Sequence, residues 1–130
     1  MNVYDAAHAL SKALKESMEL KSFQEAQLRL KNDSSAREML MDFRKEQFNL
    51  QRQQLSGLEI APQQEEKLER LGQVITLNLT IKQFLEAEYR AGVLLQDVQK
   101  IIAEATGALL DPEILGFPGL DELEGEDDSD

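Results

Sequence analysis

An all-α protein of four to five helices is what this sequence predicts, and three observations carry that expectation. Apolar residues recur at three- and four-residue steps almost throughout, with little of the alternation a strand requires. Only three prolines occur in 130 residues. Capping residues stand at regular intervals along the chain, each ahead of an amphipathic run.

The first helix is expected over 2–19. Val3, Ala6, Ala7, Leu10, Ala13, Leu14 and Met18 fall on one face, and Asn2 is placed to cap it. A second start follows at Ser22-Phe-Gln-Glu25, a Ser-x-x-Glu capping box in which serine and glutamate each satisfy a free backbone amide. It opens a short helix over 22–31 with Phe23, Ala26 and Leu30. The polar run Asn32-Asp-Ser-Ser35 ends that helix, and Ser35-Ala-Arg-Glu38 is a further capping box.

The third helix, over 34–55, carries two apolar lines. Ala36, Met39, Leu40, Phe43 and Leu50 share one arc of about 100°. Met41, Phe48 and Leu55 form another line, seven residues apart and well round the helix from the first. One line suffices for the chain's own core; the other needs a different cover. Gly57 is placed to stop this helix, and Pro62 fits the first turn of the next.

From Pro62 to Ala105 there is no proline. A single helix of that length would extend about 66 Å at 1.5 Å per residue, more than a compact 14.7 kDa bundle is wide. A break is expected near 76–78, where β-branched residues lower helix preference and Asn78 is a ready cap, giving helices over 62–76 and 79–106. Val74, Ile75, Leu77, Leu79, Ile81, Phe84 and Leu85 surround the axis on nearly all sides, which reads as a segment buried all round. Beyond them Ala91, Leu95, Val98, Ile102 and Ala105 return to one stripe.

Charge divides the chain into a helical domain, 1–110, and a tail, 111–130. The 14 basic residues all lie in 1–110 beside 16 acids, whereas 111–130 holds nine carboxylates and no base. The last residues form a like-charge block with too little apolar area to offset ordering entropy, so the tail reads as acidic and largely disordered. Two prolines and two glycines in 111–120 argue against a regular helix there and for an extended strip.

Composition excludes several activities. Without cysteine there are no disulfides, thiol nucleophiles, iron–sulfur ligands or Cys-type zinc sites. His8 is the only histidine, and no Glu-x-x-His pair is present. Glu65, Glu66, Glu69, Glu86 and Glu88 are interleaved with Lys67, Arg70, Lys82 and Arg90, the pattern of solvated helix faces rather than of an acid–base pair or metal cluster. Phosphate loops and nucleophile elbows are missing. No catalytic residue, cofactor or metal is therefore expected. The net charge of −11 makes nucleic acid an unlikely partner, with one alternative: Arg44 and Arg52 among Gln47, Gln51, Gln53 and Gln54 form a mildly basic helix face to which RNA could bind. No run reaches the ~18 apolar residues of a membrane span. The start of the chain lacks a signal peptide's basic and apolar regions, so a cytoplasmic location is expected.

More apolar helix face is present than one small bundle consumes, which points to a homodimer or higher homo-oligomer. Its candidate interface is Met41, Phe48 and Leu55 with Leu77, Ile81 and Phe84 from the 74–85 segment.

The runs Ala9-Leu-Ser-Lys-Ala-Leu-Lys-Glu-Ser17, Phe23-Gln-Glu-Ala26, Leu50-Gln-Arg-Gln-Gln-Leu-Ser-Gly57, Phe84-Leu-Glu-Ala-Glu-Tyr89 and Leu95-Gln-Asp-Val-Gln-Lys-Ile-Ile102, with the break at Asn32-Asp33, resemble the YlbF/YmcA family of small helical bacterial proteins. The likeness spans about 1–106 and is greatest to the YheA-type branch. It implies a self-associating helical fold in the cytoplasm of low-GC Gram-positive bacteria. It also implies a non-enzymatic role: better-known members act with a third protein on the endoribonuclease RNase Y, affecting mRNA processing, competence, sporulation and biofilm formation. Some members bind an iron–sulfur cluster through cysteines, a property this cysteine-free chain does not share.

Overall fold

A computed structural model describes residues 1–110 and 112–116. Five long helices account for most of them: α1 Val3–Glu16, α2 Met18–Asn32, α3 Ser34–Leu55, α4 Pro62–Thr76 and α5 Leu79–Thr106. A 3-10 turn, Gly107–Leu110, and a single helical turn, α6 Pro112–Leu115, follow. No strand occurs among the described residues. The chain divides into two compact units, Met1–Gly92 and one that begins at Val93. The acidic run expected to be disordered lies, from residue 117 on, outside the described residues.

Side chains that bind free backbone amides set the helix starts. Asn2 Oδ1 accepts from the Asp5 amide at 2.8 Å, and Asn78 Oδ1 accepts from the Ile81 amide at 3.0 Å, as the sequence predicts. The expected capping box at Ser22 is not used. Ser17 takes that place: its Oγ accepts from the Leu20 amide at 3.3 Å, while its own N–H donates to the Leu14 carbonyl at 3.2 Å. One residue thus ends α1 and starts α2, so the first helix is shorter and the second longer than expected. Asp33, rather than Ser35, caps α3, with its Oδ1 3.1 Å from the Ala36 amide.

The end of α3 is a Schellman turn. Gly57 adopts φ +77°, the Leu58 amide donates to the Gln53 carbonyl at 2.9 Å and the Gly57 amide to that of Gln54 at 3.1 Å. Pro62 opens α4, where the Gln64 side chain accepts from the Ala61 amide at 3.0 Å. Where 111–120 was expected to exclude regular helix, Pro112–Leu115 forms one turn, with proline in the first position and Gly116 at φ +71° after it.

The core of the first unit is built from one stripe on each of four helices. Ala26 and Leu30 of α2, Ala36 and Leu40 of α3, Ile75 of α4, and Ile81, Phe84 and Ala87 of α5 are buried together. Phe23, Met39, Phe43 and Leu85 pack against them. The rings of Phe23 and Phe84 lie 5.6 Å apart at 57°, a tilted aromatic pair. Leu50 is also buried, so the predicted inner arc of α3 faces inward, and each buried Leu, Ile or Phe contributes about 1.5–3 kcal/mol.

Two ion pairs brace this core from outside. Arg44 of α3 meets Glu88 of α5 at 2.6 Å, and Lys67 of α4 lies 3.5 Å from Glu46 of α3.

Candidate interaction surface

Among the described residues no group of His, Asp and Glu is placed to hold a metal ion, and no helix is long and apolar enough to cross a membrane. His8 is exposed on α1; Glu65, Glu66 and Glu69 are exposed on α4; Glu88 is engaged by Arg44. What the first unit does present is apolar surface in three places.

The first is the outer line of α3. Met41, Phe48 and Leu55 are all exposed, Phe48 at 62% and Leu55 at 90%, on a helix whose opposite arc is buried. The seven-residue spacing predicts this separation, because seven steps of 100° return nearly to the same bearing.

The second is the corner where α4 gives way to α5. Leu77 occupies the cap between the helices and is 87% exposed; Val74, Leu79 and Tyr89 are exposed nearby in sequence. Beside them an open groove of about 430 Å³ runs between Ile75 and Thr76 on α4 and Lys82, Leu85, Glu86 and Tyr89 on α5. Its walls are mainly hydrocarbon, with one cation and one anion among them.

The third is α1 itself. Its apolar residues share one face, yet none is buried, and only Leu10 and Leu14 are even partly covered. Amphipathic helices normally form because that face is covered.

In the second unit the apolar stripe of α5 runs on through Leu95, Ile101 and Ile102, all exposed.

Two residues of the expected interface are corrected here. Ile81 is fully buried and Phe84 nearly so, both in the core of their own chain. The segment 74–85 is likewise not buried all round. The break at Leu77 and Asn78 divides it between two helices, each with its own buried side, so a continuous helical wheel does not carry across it. Tyr89 and the groove-lining pair Lys82 and Glu86 belong to no sequence motif that marks a site. The available signal was Tyr89's position five residues past Phe84, which turns it well away from the buried bearing.

Helices joined by short turns around a modest internal core define a small all-α protein with exposed apolar helix faces. The family described as "Control of competence regulator ComK, YlbF/YmcA" matches residues 3–106, and the chain belongs to that family. A UPF0342 protein of Symbiobacterium thermophilum is 50% identical over 103 residues, covering 79% of this chain and 92% of its own. One from Halothermothrix orenii is 40% identical over 102 residues, covering 78% and 86%. Among solved structures, a "Protein of Unknown Function (DUF964) from Bacillus stearothermophilus" superimposes with a TM-score of 0.67 at 20% identity, over 84% of this chain and 96% of that one. At that identity the likeness speaks for the fold alone.

Proposed function

We propose that this protein is a non-enzymatic, self-associating adaptor of the cytoplasm that works through helix–helix contacts, with a regulatory role of the kind known for YlbF/YmcA proteins in RNase Y-linked mRNA processing and competence. The observation that carries the reading is the outer line of α3. Three large apolar residues at heptad spacing stay in water while the same helix buries Ala36, Leu40 and Leu50. A solvated patch of this kind is a binding surface rather than a folding requirement. Met41, Phe48, Leu55 and Leu77 are its candidate contacts.

Light scattering at micromolar concentration tests the self-association directly. A dimer or higher species is expected, and a strictly monomeric protein would overturn it. The regulatory part predicts altered RNase Y-dependent transcript processing in a deletion strain of the native host, and unchanged processing would remove it. The alternative, RNA contact through the Arg44 and Arg52 face, has less support because Arg44 is tied to Glu88.

A further inference from the structure

We infer that α1 is a hinged arm: it opens about Ser17 as one piece while the core built from α2, α3, α4 and α5 stays folded. This does not depend on the self-association reading.

Little holds α1 in place. The buried cluster draws on the other four long helices, and α1 contributes no buried residue to it. Its packing is chiefly against α2, and along its length only Leu10 and Leu14 are half-covered. Among the described residues neither ion pair involves α1, and its side-chain hydrogen bonds are local: Asn2 Oδ1 accepts from the Asp5 amide, and Ser17 Oγ donates to the Leu14 carbonyl. Segments with so few buried contacts open well below the free energy of global unfolding.

The junction lets the arm go without cost to its neighbour. Ser17 is extended, at φ −66° and ψ 147°, so the hydrogen-bond ladder of α1 ends there and that of α2 starts afresh. Because Ser17 Oγ also accepts from the Leu20 amide at 3.3 Å, α2 keeps its cap when α1 leaves. An isolated helix of 14 residues is marginal in water, so α1 unwinds as it undocks and its amides exchange with solvent. Opening exposes Leu10, Leu14 and the side of α2 packed against α1. The apolar surface that the protein presents is thereby set by an equilibrium within the chain.

Native-state hydrogen exchange on the full chain, read by mass spectrometry, tests this. Relative to their intrinsic rates, the amides of 7–14 should exchange at least 100-fold faster than those of Leu40, Leu50, Phe84 and Ala87. Two variants then separate arm from core. Ile81→Val removes a methylene from the core and should speed core exchange about two- to tenfold while leaving 7–14 within twofold of wild type. Ala9→Gly, at an exposed position of α1, should do the reverse, speeding exchange in 7–14 about fivefold with the core unchanged. Protection of 7–14 equal to that of the core, whatever confers it, overturns the arm. So does a parallel change of arm and core in either variant.

Discussion

Arg44 Nη2 of α3 lies 2.6 Å from Glu88 Oε1 of α5, and the same guanidinium sits over the ring of Phe84, 5.6 Å from its centroid. The arginine therefore closes the core on one side, covering an aromatic ring that is itself packed on Phe23. Both charged side chains remain well exposed, at 45% and 38%, so water screens the pair. A double-mutant cycle on Arg44→Ala and Glu88→Ala should give a coupling of about 0.2–1 kcal/mol that shrinks at high salt. Arg44→Ala alone should destabilise by more than the coupling, since it also removes a cation–π contact of about 0.5–1 kcal/mol. Urea melts of the four proteins measure this. A coupling indistinguishable from zero at low salt would show the ion pair to be unimportant.

Asn78 supports the turn between α4 and α5 through its bond to the Ile81 amide. Losing that acceptor leaves a part-buried N–H unpaired. Asn78→Ala should cost about 1 kcal/mol and Asn78→Gly only a few tenths, in the usual order for helix starts. Ser22→Ala is the informative comparison. It lies inside α2 and Ser17 supplies the cap, so Ser22→Ala should be neutral or slightly stabilising, while Ser17→Ala destabilises. Thermal melts separate these outcomes, and a large loss in Ser22→Ala would contradict the observed helix boundary.

The same residues show how far the fold was readable in the sequence. The end of α3 and the starts of α4 and α5 are legible because each meets a strong local signal, Gly57, Pro62 and Asn78, whereas the cap of α3 is Asp33 and not the expected capping box at Ser35. Ser22, with Glu25 three residues on, reads as the start of the second helix, whereas the structure starts it after Ser17, which extends α2 backwards by a turn while keeping Ala26 and Leu30 in the core. Which apolar residues meet water was less legible. Burial depends on neighbouring helices, and a wheel drawn through 74–85 mixes the phases of α4 and α5. Met41, Phe48 and Leu55 escape that problem because they lie on one unbroken helix.

Two glycines should respond in opposite directions to alanine. Gly57 holds φ +77° at the end of α3, a conformation that costs an L-residue about 1–2 kcal/mol. Gly92 stands in the interior of α5 with open space where a Cβ would project. Gly57→Ala is expected to destabilise by about 1 kcal/mol or more, and Gly92→Ala to stabilise by about 0.5–1 kcal/mol. Chemical denaturation of both variants reads this. A destabilised Gly92→Ala would mean that something approaches α5 at that point in solution, which makes it a sensitive probe of assembly as well.

Ile81 and Phe48 divide stability from association. Ile81 is fully buried beneath the start of α5, so Ile81→Ala removes packed methyl groups and leaves a cavity, at about 2–5 kcal/mol. Phe48 is largely exposed, and Phe48→Asp takes no core contact away. Its monomer should melt within about 0.5 kcal/mol of wild type, the range of ordinary surface changes. The same substitution places a carboxylate in the middle of the heptad line of α3, where any partner helix must desolvate it. If that line is an interface, Phe48→Asp lowers the oligomer fraction in sedimentation velocity while Ile81→Ala lowers the denaturation midpoint. Normal association by Phe48→Asp would remove the α3 line from the interface.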